Sequence, residues 1–194
     1  MKAMHKPLWL MSALLLTVSV AFADEFEDAK QAFSQAPQSA GFYKDSYGYA
    51  IFPTVAKGGL GVGAAHGKGR VYRQGKHVGD TNLTQVSVGL QAGGQAYSEI
   101  IFFKDEDAFK RFTAGNFQLG ADVNAVAITA SAGATANTSS GASASASGTQ
   151  NAAANAGAWH NGMAVFSLAK GGLMYQAVVN GQKFSFKPNT VASQ

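Results

Sequence analysis

The sequence predicts an α+β fold in which an antiparallel sheet is accompanied by two or more helices. Two observations predict the sheet: glycine at almost every second position between 58 and 69, and several short apolar segments that turn residues separate. A third observation predicts the helices, because segments 24–36 and 105–113 open with acidic residues and repeat their apolar residues at helical spacing. A chain of 194 residues is long enough to form one domain with its own core.

Residues 1–23 have the composition of a cleaved secretory signal. Lys2 and Lys6 give a basic start, an apolar run follows, and Ala21-Phe22-Ala23 is a small-x-small cleavage site. We therefore expect export to the periplasm, either free in that compartment or peripheral on an envelope membrane, and full secretion is the alternative. Residues 24–194 are expected to form a single domain. The chain has no cysteine, which excludes disulfides and thiol catalysis.

The net charge gives no argument for a nucleic-acid partner. The chain has 15 basic and 11 acidic residues, and cleavage would remove Lys2 and Lys6, so 13 − 11 leaves a charge of +2. Such a weak field does not attract a polyanion. An anion site would therefore have to come from a local cluster of basic residues.

The N-terminal helix is predicted over residues 24–37. Phe26, Ala29 and Phe33 fall on one stripe of this helix, and Pro37 ends it. In one interpretation the stripe packs on the core. In the other, the helix lifts off and inserts Phe26 and Phe33 into a membrane interface. The acidic polar face of the helix favours the first interpretation.

The glycine-rich stretch from Ala56 to Tyr72 is predicted to begin a hairpin, with its turn at Gly67-Lys68-Gly69 and an outgoing strand that ends at Val71-Tyr72. Alternate glycines remove the side chains from one face of a strand, so that another backbone can approach or the sheet can bend sharply. A second turn is predicted at Gln74-Gly75-Lys76. The pattern Gly59 to Ala64 fits a dinucleotide motif on paper, but no helical period follows it, so a nucleotide site is not expected.

The rest of the chain alternates strands and turns until its composition changes. Gly93-Gly94 is predicted to be a turn, and Glu99 is expected to lie on an exposed strand face, since burial without a partner would be costly. Residues 135–155 contain almost only small residues and are predicted to form a low-complexity mobile loop. Further strands are predicted at 49–52, 83–92, 96–103, 122–129, 162–166, a segment ending at 179, and 182–186.

One short segment occurs twice. Ala56-Lys57-Gly58-Gly59-Leu60 recurs as Ala169-Lys170-Gly171-Gly172-Leu173. Our hypothesis is that the two segments are equivalent turns that bring Lys57 and Lys170 to similar positions. Coincidence in a chain rich in Gly, Ala and Lys is the alternative.

Four blocks of the chain resemble, in order, the SYLF-domain family: AKGGLGVGAAHGKGRVY, SVGLQAGGQAYSEIIFF, FQLGADV and FSLAKGGLMYQAVVNGQKF. The resemblance covers residues 43–186. It implies a compact domain on a curved, barrel-like antiparallel sheet with flanking helices. It also implies binding of anionic lipid head groups through basic residues, aided in some members by an N-terminal amphipathic helix. The long loop of small residues and the acidic first helix depart from the family pattern. Actin binding is seen in fungal members of the family and is not expected for an exported chain.

The basic residues that fit a lipid site cluster around the two predicted turns. If strand alternation holds, Lys68 and Arg70 share a face, where arginine offers phosphate a planar fork and lysine a point charge. The alternative is a solvated hairpin edge on which lysine blocks strand pairing. The candidate lipid-binding residues are Lys57, Lys68, Arg70, Arg73, Lys76 and Lys170, with Phe26 and Phe33 as candidate membrane contacts.

No catalytic set, metal motif or cofactor motif is recognised. His66, His77 and His160 form no metal-binding pattern, and Asp105 to Asp107 fit the opening of a helix better than a carboxylate site. We therefore expect a non-catalytic, cofactor-free periplasmic domain whose partner is anionic phospholipid or a membrane surface. The alternative is a structural or stress-related envelope protein that acts by protein–protein contact with an unknown partner.

Overall fold

The computed structural model describes residues 24–119, 125–128, 159–171 and 181–189. The predicted signal peptide (1–23) and the predicted loop (135–155) lie outside these ranges. The predicted fold class, α+β with a curved antiparallel sheet, is confirmed, with one parallel strand pair in addition. The elements are α1 (Glu25–Gln35), α2 (Pro37–Ala40), α3 (Phe42–Asp45), β1 (Gly48–Arg73), β2 (Lys76–Phe103), α4 (Glu106–Thr113), β3 (Asn116–Gln118), β4 (Ala125–Ile128), β5 (Met163–Gly171) and β6 (Lys183–Pro188).

The sheet is built on β2, with which β1, β5 and β6 all pair in antiparallel register. β1 follows one edge of β2 for nearly its whole length. The other edge is shared, since β6 pairs with residues 79–84 of β2 and β5 with residues 96–103. β3 adds to β6, and β4 joins β5 in parallel. Two neighbouring strands of the sheet are therefore supplied by one long β1–β2 ribbon.

This ribbon folds back on itself at a corner near Gly59. The register shifts there, because Leu60 pairs with Ala92 but Val62 pairs with Val88. Beyond the corner, a Cβ built at Gly69 would lie 2.6 Å from the Phe52 ring and 2.8 Å from the Ile51 carbonyl oxygen. The glycines thus act as their spacing predicts: they clear one face of the strand, and half of the ribbon packs on the backbone of the other half.

Two of the predicted turns are wrong. Gly67-Lys68-Gly69 lies inside β1 and Gly93-Gly94 inside β2, so neither reverses the chain. The ribbon turns instead at Gln74-Gly75, the second predicted turn, where φ is 49° and 76°. Two consecutive positive φ angles match the twist of a tight hairpin.

The two predicted helices are confirmed, but the first ends at Gln35 and Pro37 begins α2. An aspartate caps the start of each predicted helix. Asp24 accepts a hydrogen bond from the Phe26 N–H at 3.2 Å, and Asp105 accepts one from the Ala108 N–H at 2.8 Å. The first half of the ribbon consists of residues 48–59 of β1 and residues 93–103 of β2. α1 packs on one face of this half, and α4 packs with the core on the other face of the same half. The first half is therefore buried on both faces.

Glu99 lies in this core, and its predicted exposure is wrong. Its Oε2 accepts a hydrogen bond from Gln182 Nε2 at 2.9 Å, and the same Nε2 lies 3.3 Å from the Tyr97 hydroxyl. Oε1 has no hydrogen-bond partner among the residues that the structure describes. Burial raises the pKa of Glu99 to about 8, against a smaller opposing effect of the Gln182 hydrogen bond. The carboxyl group is therefore mostly protonated at neutral pH.

Candidate functional site

The second half of the ribbon, beyond the corner, has one buried and one exposed face. On β1, Gly67, Gly69 and Val71 are buried, whereas Lys68 is exposed and Arg70 is half-buried. Side chains on alternate residues of a strand point to the same side. Lys68 and Arg70 therefore share the outward face of the sheet.

β6 adds two lysines to this face. Lys187 lies opposite Asp80, which is itself opposite Arg70, and Lys183 lies opposite Thr84. Directly opposite residues of neighbouring strands share a face, so these cations lie on one surface, about 10 Å wide over two strand spacings. We call it the outer basic face; it consists of Lys68, Arg70, Lys183 and Lys187.

Sequence reasoning missed Lys183 and Lys187 because they are more than 100 residues from Lys68 in the chain. A local signal exists, since both lysines alternate with Phe184 and Phe186, which assigns the lysines to an exposed strand face. That signal does not say which strand β6 pairs with. Only the register with β2 places Lys187 across that strand from Arg70, and Lys183 across it from His66, on the same surface.

Arg70 is partly neutralised by the start of α1. Its Nη1 donates a hydrogen bond to Asp24 Oδ2 at 2.9 Å, and its Cζ lies 4.0 Å from the centre of the Phe26 ring. This hydrogen bond is the main reason that the pKa of Asp24 is lowered. Lys68, Lys183 and Lys187, in contrast, form no ion pair with any residue in the described ranges. These three lysines therefore hold most of the available positive charge of the face.

The predicted cluster of four cations is split in the structure. Arg73 and Lys76 pair with each other on either side of the turn and are exposed. Strand alternation places Arg73 on the opposite side of β1 from Arg70. Arg73 and Lys76 therefore lie at the end of the ribbon and do not extend the outer basic face.

Lys57 and Lys170 do not belong to this face either. The segments that contain them are strands and not turns, which corrects that part of the hypothesis. Both segments nevertheless meet β2 at one residue, since Ala56 and Gly171 each pair with Ala96. Lys57 is half-buried, and Lys170 Nζ donates a hydrogen bond to Thr54 Oγ1 at 3.0 Å. The last two residues of the second copy lie outside the described ranges.

Phe26 and Phe33 occupy different environments. Phe26 is half-buried beneath the Arg70 guanidinium, whereas Phe33 is fully buried in the core between α1 and the sheet. Membrane contact by Phe33 would require α1 to leave the sheet. In the structure, α1 therefore packs on the core and is not lifted off the sheet.

Metal-binding clusters and membrane-spanning helices are absent from the described part of the chain. It contains no group of three or more His, Asp or Glu side chains placed to hold a metal ion. His77 Nε2 lies 3.0 Å from Asp80 Oδ1, at the edge of the outer basic face. No helix in these ranges combines the length and the apolar character that crossing a bilayer requires.

Comparison with known proteins shows a family and a relative to which the chain is similar. Residues 84–190, just over half of the chain, match the profile of the family described as Ysc84, Las17-binding protein actin regulator. Beta cell expansion factor A of Aeromonas veronii is 26% identical over 156 residues, which are 78% of this chain and 50% of that protein. The chain thus spans about half the length of the curated relative that it matches. The matched range of the family includes β6 with Lys183 and Lys187.

Proposed function

The chain belongs to the SYLF (Ysc84) family of lipid-binding and actin-regulating domains, and from this premise we propose that it binds anionic lipid head groups without catalysis. The observation that supports this proposal most strongly is the outer basic face, where cations from two distant parts of the sequence meet on one surface. The proposed compartment is the periplasm, to which the signal predicted at residues 1–23 would direct the chain.

The electrostatics of this face suit a reversible surface association. Each lysine or arginine near an anionic bilayer contributes about 1 kcal/mol. Asp24 and Asp80 offset part of this total, since one pairs with Arg70 and the other lies opposite both Arg70 and Lys187. The lysines are flexible point charges, so they can meet phosphates at varying positions. Salt should screen this attraction.

Changing Lys68, Lys183 and Lys187 to glutamine should weaken binding to anionic vesicles more than tenfold, because about 1 kcal/mol is lost at each position. The measurement is cosedimentation with phosphatidylglycerol vesicles over a range of lipid concentrations. The parent should bind these vesicles at low salt, lose binding at high salt, and not bind phosphatidylcholine vesicles. All three side chains are exposed, so the variant should keep its fold.

A matched control changes Lys44, Lys104 and Lys110 to glutamine. These lysines are exposed and lie on or beside α3 and α4, and their removal lowers the net charge by the same amount. The control should bind as the parent does. Equal losses in both variants would mean that total charge, and not the outer basic face, decides binding. Unchanged binding in the first variant would contradict the proposal.

A further inference from the structure

The corner of the ribbon exposes three large apolar side chains. Leu60 is 83% exposed, Val62 60% and Val86 74%. Val86 pairs with Ala64, two residues from Val62, so Val62 and Val86 are diagonal neighbours on the outward face. We call Leu60, Val62 and Val86 the apolar corner. An exposed apolar cluster of this kind is typical of an interaction site.

The apolar corner continues directly from the outer basic face. Along β2 the outward side chains are Asp80, Asn82, Thr84 and Val86, so the surface changes from charged to polar to apolar over about 20 Å. Lys183 lies opposite Thr84 and is therefore a diagonal neighbour of Val86, about 8 Å away. Asp80, the acidic residue of this row, lies at the end far from the corner.

We propose that the apolar corner inserts at the boundary between the head groups and the acyl chains of an anionic bilayer, while the outer basic face contacts the lipid phosphates. This inference rests on the proposed function and adds which part of the molecule enters the membrane. Charge complementarity favours an anionic bilayer as the partner of the apolar corner, because Lys183 adjoins its side chains and Asp80 lies farthest from them. Lysine stems can lie along apolar surface while their ammonium groups stay at phosphate depth.

The position of the corner in the fold agrees with this role. Phe33 of α1 is buried in the core, so insertion of the corner requires no rearrangement of the helix, whereas insertion of α1 does. The corner side chains already point outward and lose only contact with water on insertion.

The direct test places a tryptophan at the corner. Leu60→Trp and a control reporter on the helical layer, Gln35→Trp, are each compared with the parent, whose own tryptophans give the background. Each protein is mixed with phosphatidylglycerol vesicles whose acyl chains are brominated. The Leu60→Trp emission should shift to the blue and be quenched, and the Gln35→Trp emission should do neither.

The outcomes separate this inference from the proposed function. If the proteins sediment with the vesicles but the Leu60→Trp emission is unchanged, the corner does not insert and only this inference is overturned. Quenching of Gln35→Trp instead would assign insertion to α1 and would also overturn it. If the parent does not bind anionic vesicles at all, the proposed function fails and the inference fails with it.

A second variant measures what the corner contributes to affinity. Leu60→Ser combined with Val86→Ser should weaken vesicle binding about tenfold, since apolar area is no longer removed from water. Both side chains are exposed, so the melting temperature should stay near that of the parent. Unchanged affinity would contradict the inference. So would a dimer of the parent, seen by sedimentation velocity, that dissociates in this variant, because the corner would then be covered by a second copy of the chain.

Discussion

Replacing Gly69 with alanine is expected to lower the free energy of unfolding by about 3 kcal/mol and the melting temperature by roughly 6–12 °C. The added Cβ would lie 2.6 Å from the buried Phe52 ring and 2.8 Å from the Ile51 carbonyl oxygen. Neither neighbour can move away easily, because the ring is packed in the core and the carbonyl belongs to the facing backbone. The two halves of the ribbon would have to separate. Chemical denaturation and a thermal melt followed by circular dichroism measure the effect.

Gly58→Ala is the matched control for this prediction. Gly58 lies in the same strand but before the corner and is exposed, and the nearest atom to its built Cβ is the Gly93 carbonyl oxygen at 3.9 Å. Its replacement should change the free energy of unfolding by no more than about 0.5 kcal/mol. Equal stability of the two variants would show that the ribbon does not fold back at the distance described.

Replacing Glu99 with glutamine is expected to remove a large pH dependence of stability. The pKa of Glu99 is about 8 in the folded protein against an ordinary value of 4.5, so the folded state binds the proton more tightly than the unfolded state. Stability from this group is therefore complete below pH 4.5 and is lost as the pH rises towards 8, by up to about 1.4 kcal/mol per pH unit. Glutamine has nearly the same shape as the protonated acid and does not titrate.

The measurement is the free energy of unfolding of parent and Glu99→Gln from urea titrations at pH 5 and pH 8. The parent should lose about 4 kcal/mol relative to the variant over these three pH units. Asp107→Asn, at an exposed carboxyl group, is the control and should follow the parent. A parent and a Glu99→Gln variant that respond equally to pH would contradict the assignment of a buried, protonated Glu99.

Local sequence signals predicted those features that depend only on neighbouring residues. Asp24 and Asp105 mark the helix starts because a capping carboxylate acts on the N–H groups two or three residues ahead. The alternation of glycines likewise predicted a strand face without side chains, because this feature also depends only on neighbouring residues. It did not distinguish glycine that turns the chain, as at Gly75, from glycine that admits another backbone, as at Gly69, because both roles use the same residue.

Features that depend on distant pairing could not be predicted. The alternation around Glu99 does not reveal that α1 and the folded-back ribbon cover both faces of its strand. Likewise, the clustering of Lys68, Arg70, Arg73 and Lys76 in the sequence indicated one site, but strand geometry divides them. The β6 register instead places Lys183 and Lys187 on the same surface as Lys68 and Arg70, across β2 from them. That register follows from the packing of the whole sheet.

Lysine footprinting tests most directly whether the outer basic face is what meets the lipid. Acetylation of each lysine is measured by mass spectrometry with and without phosphatidylglycerol vesicles. We predict that vesicles slow acetylation of Lys68, Lys183 and Lys187 and leave that of Lys44, Lys104 and Lys110 unchanged. Protection of Lys44, Lys104 and Lys110 instead, or equal protection of all six, would contradict it.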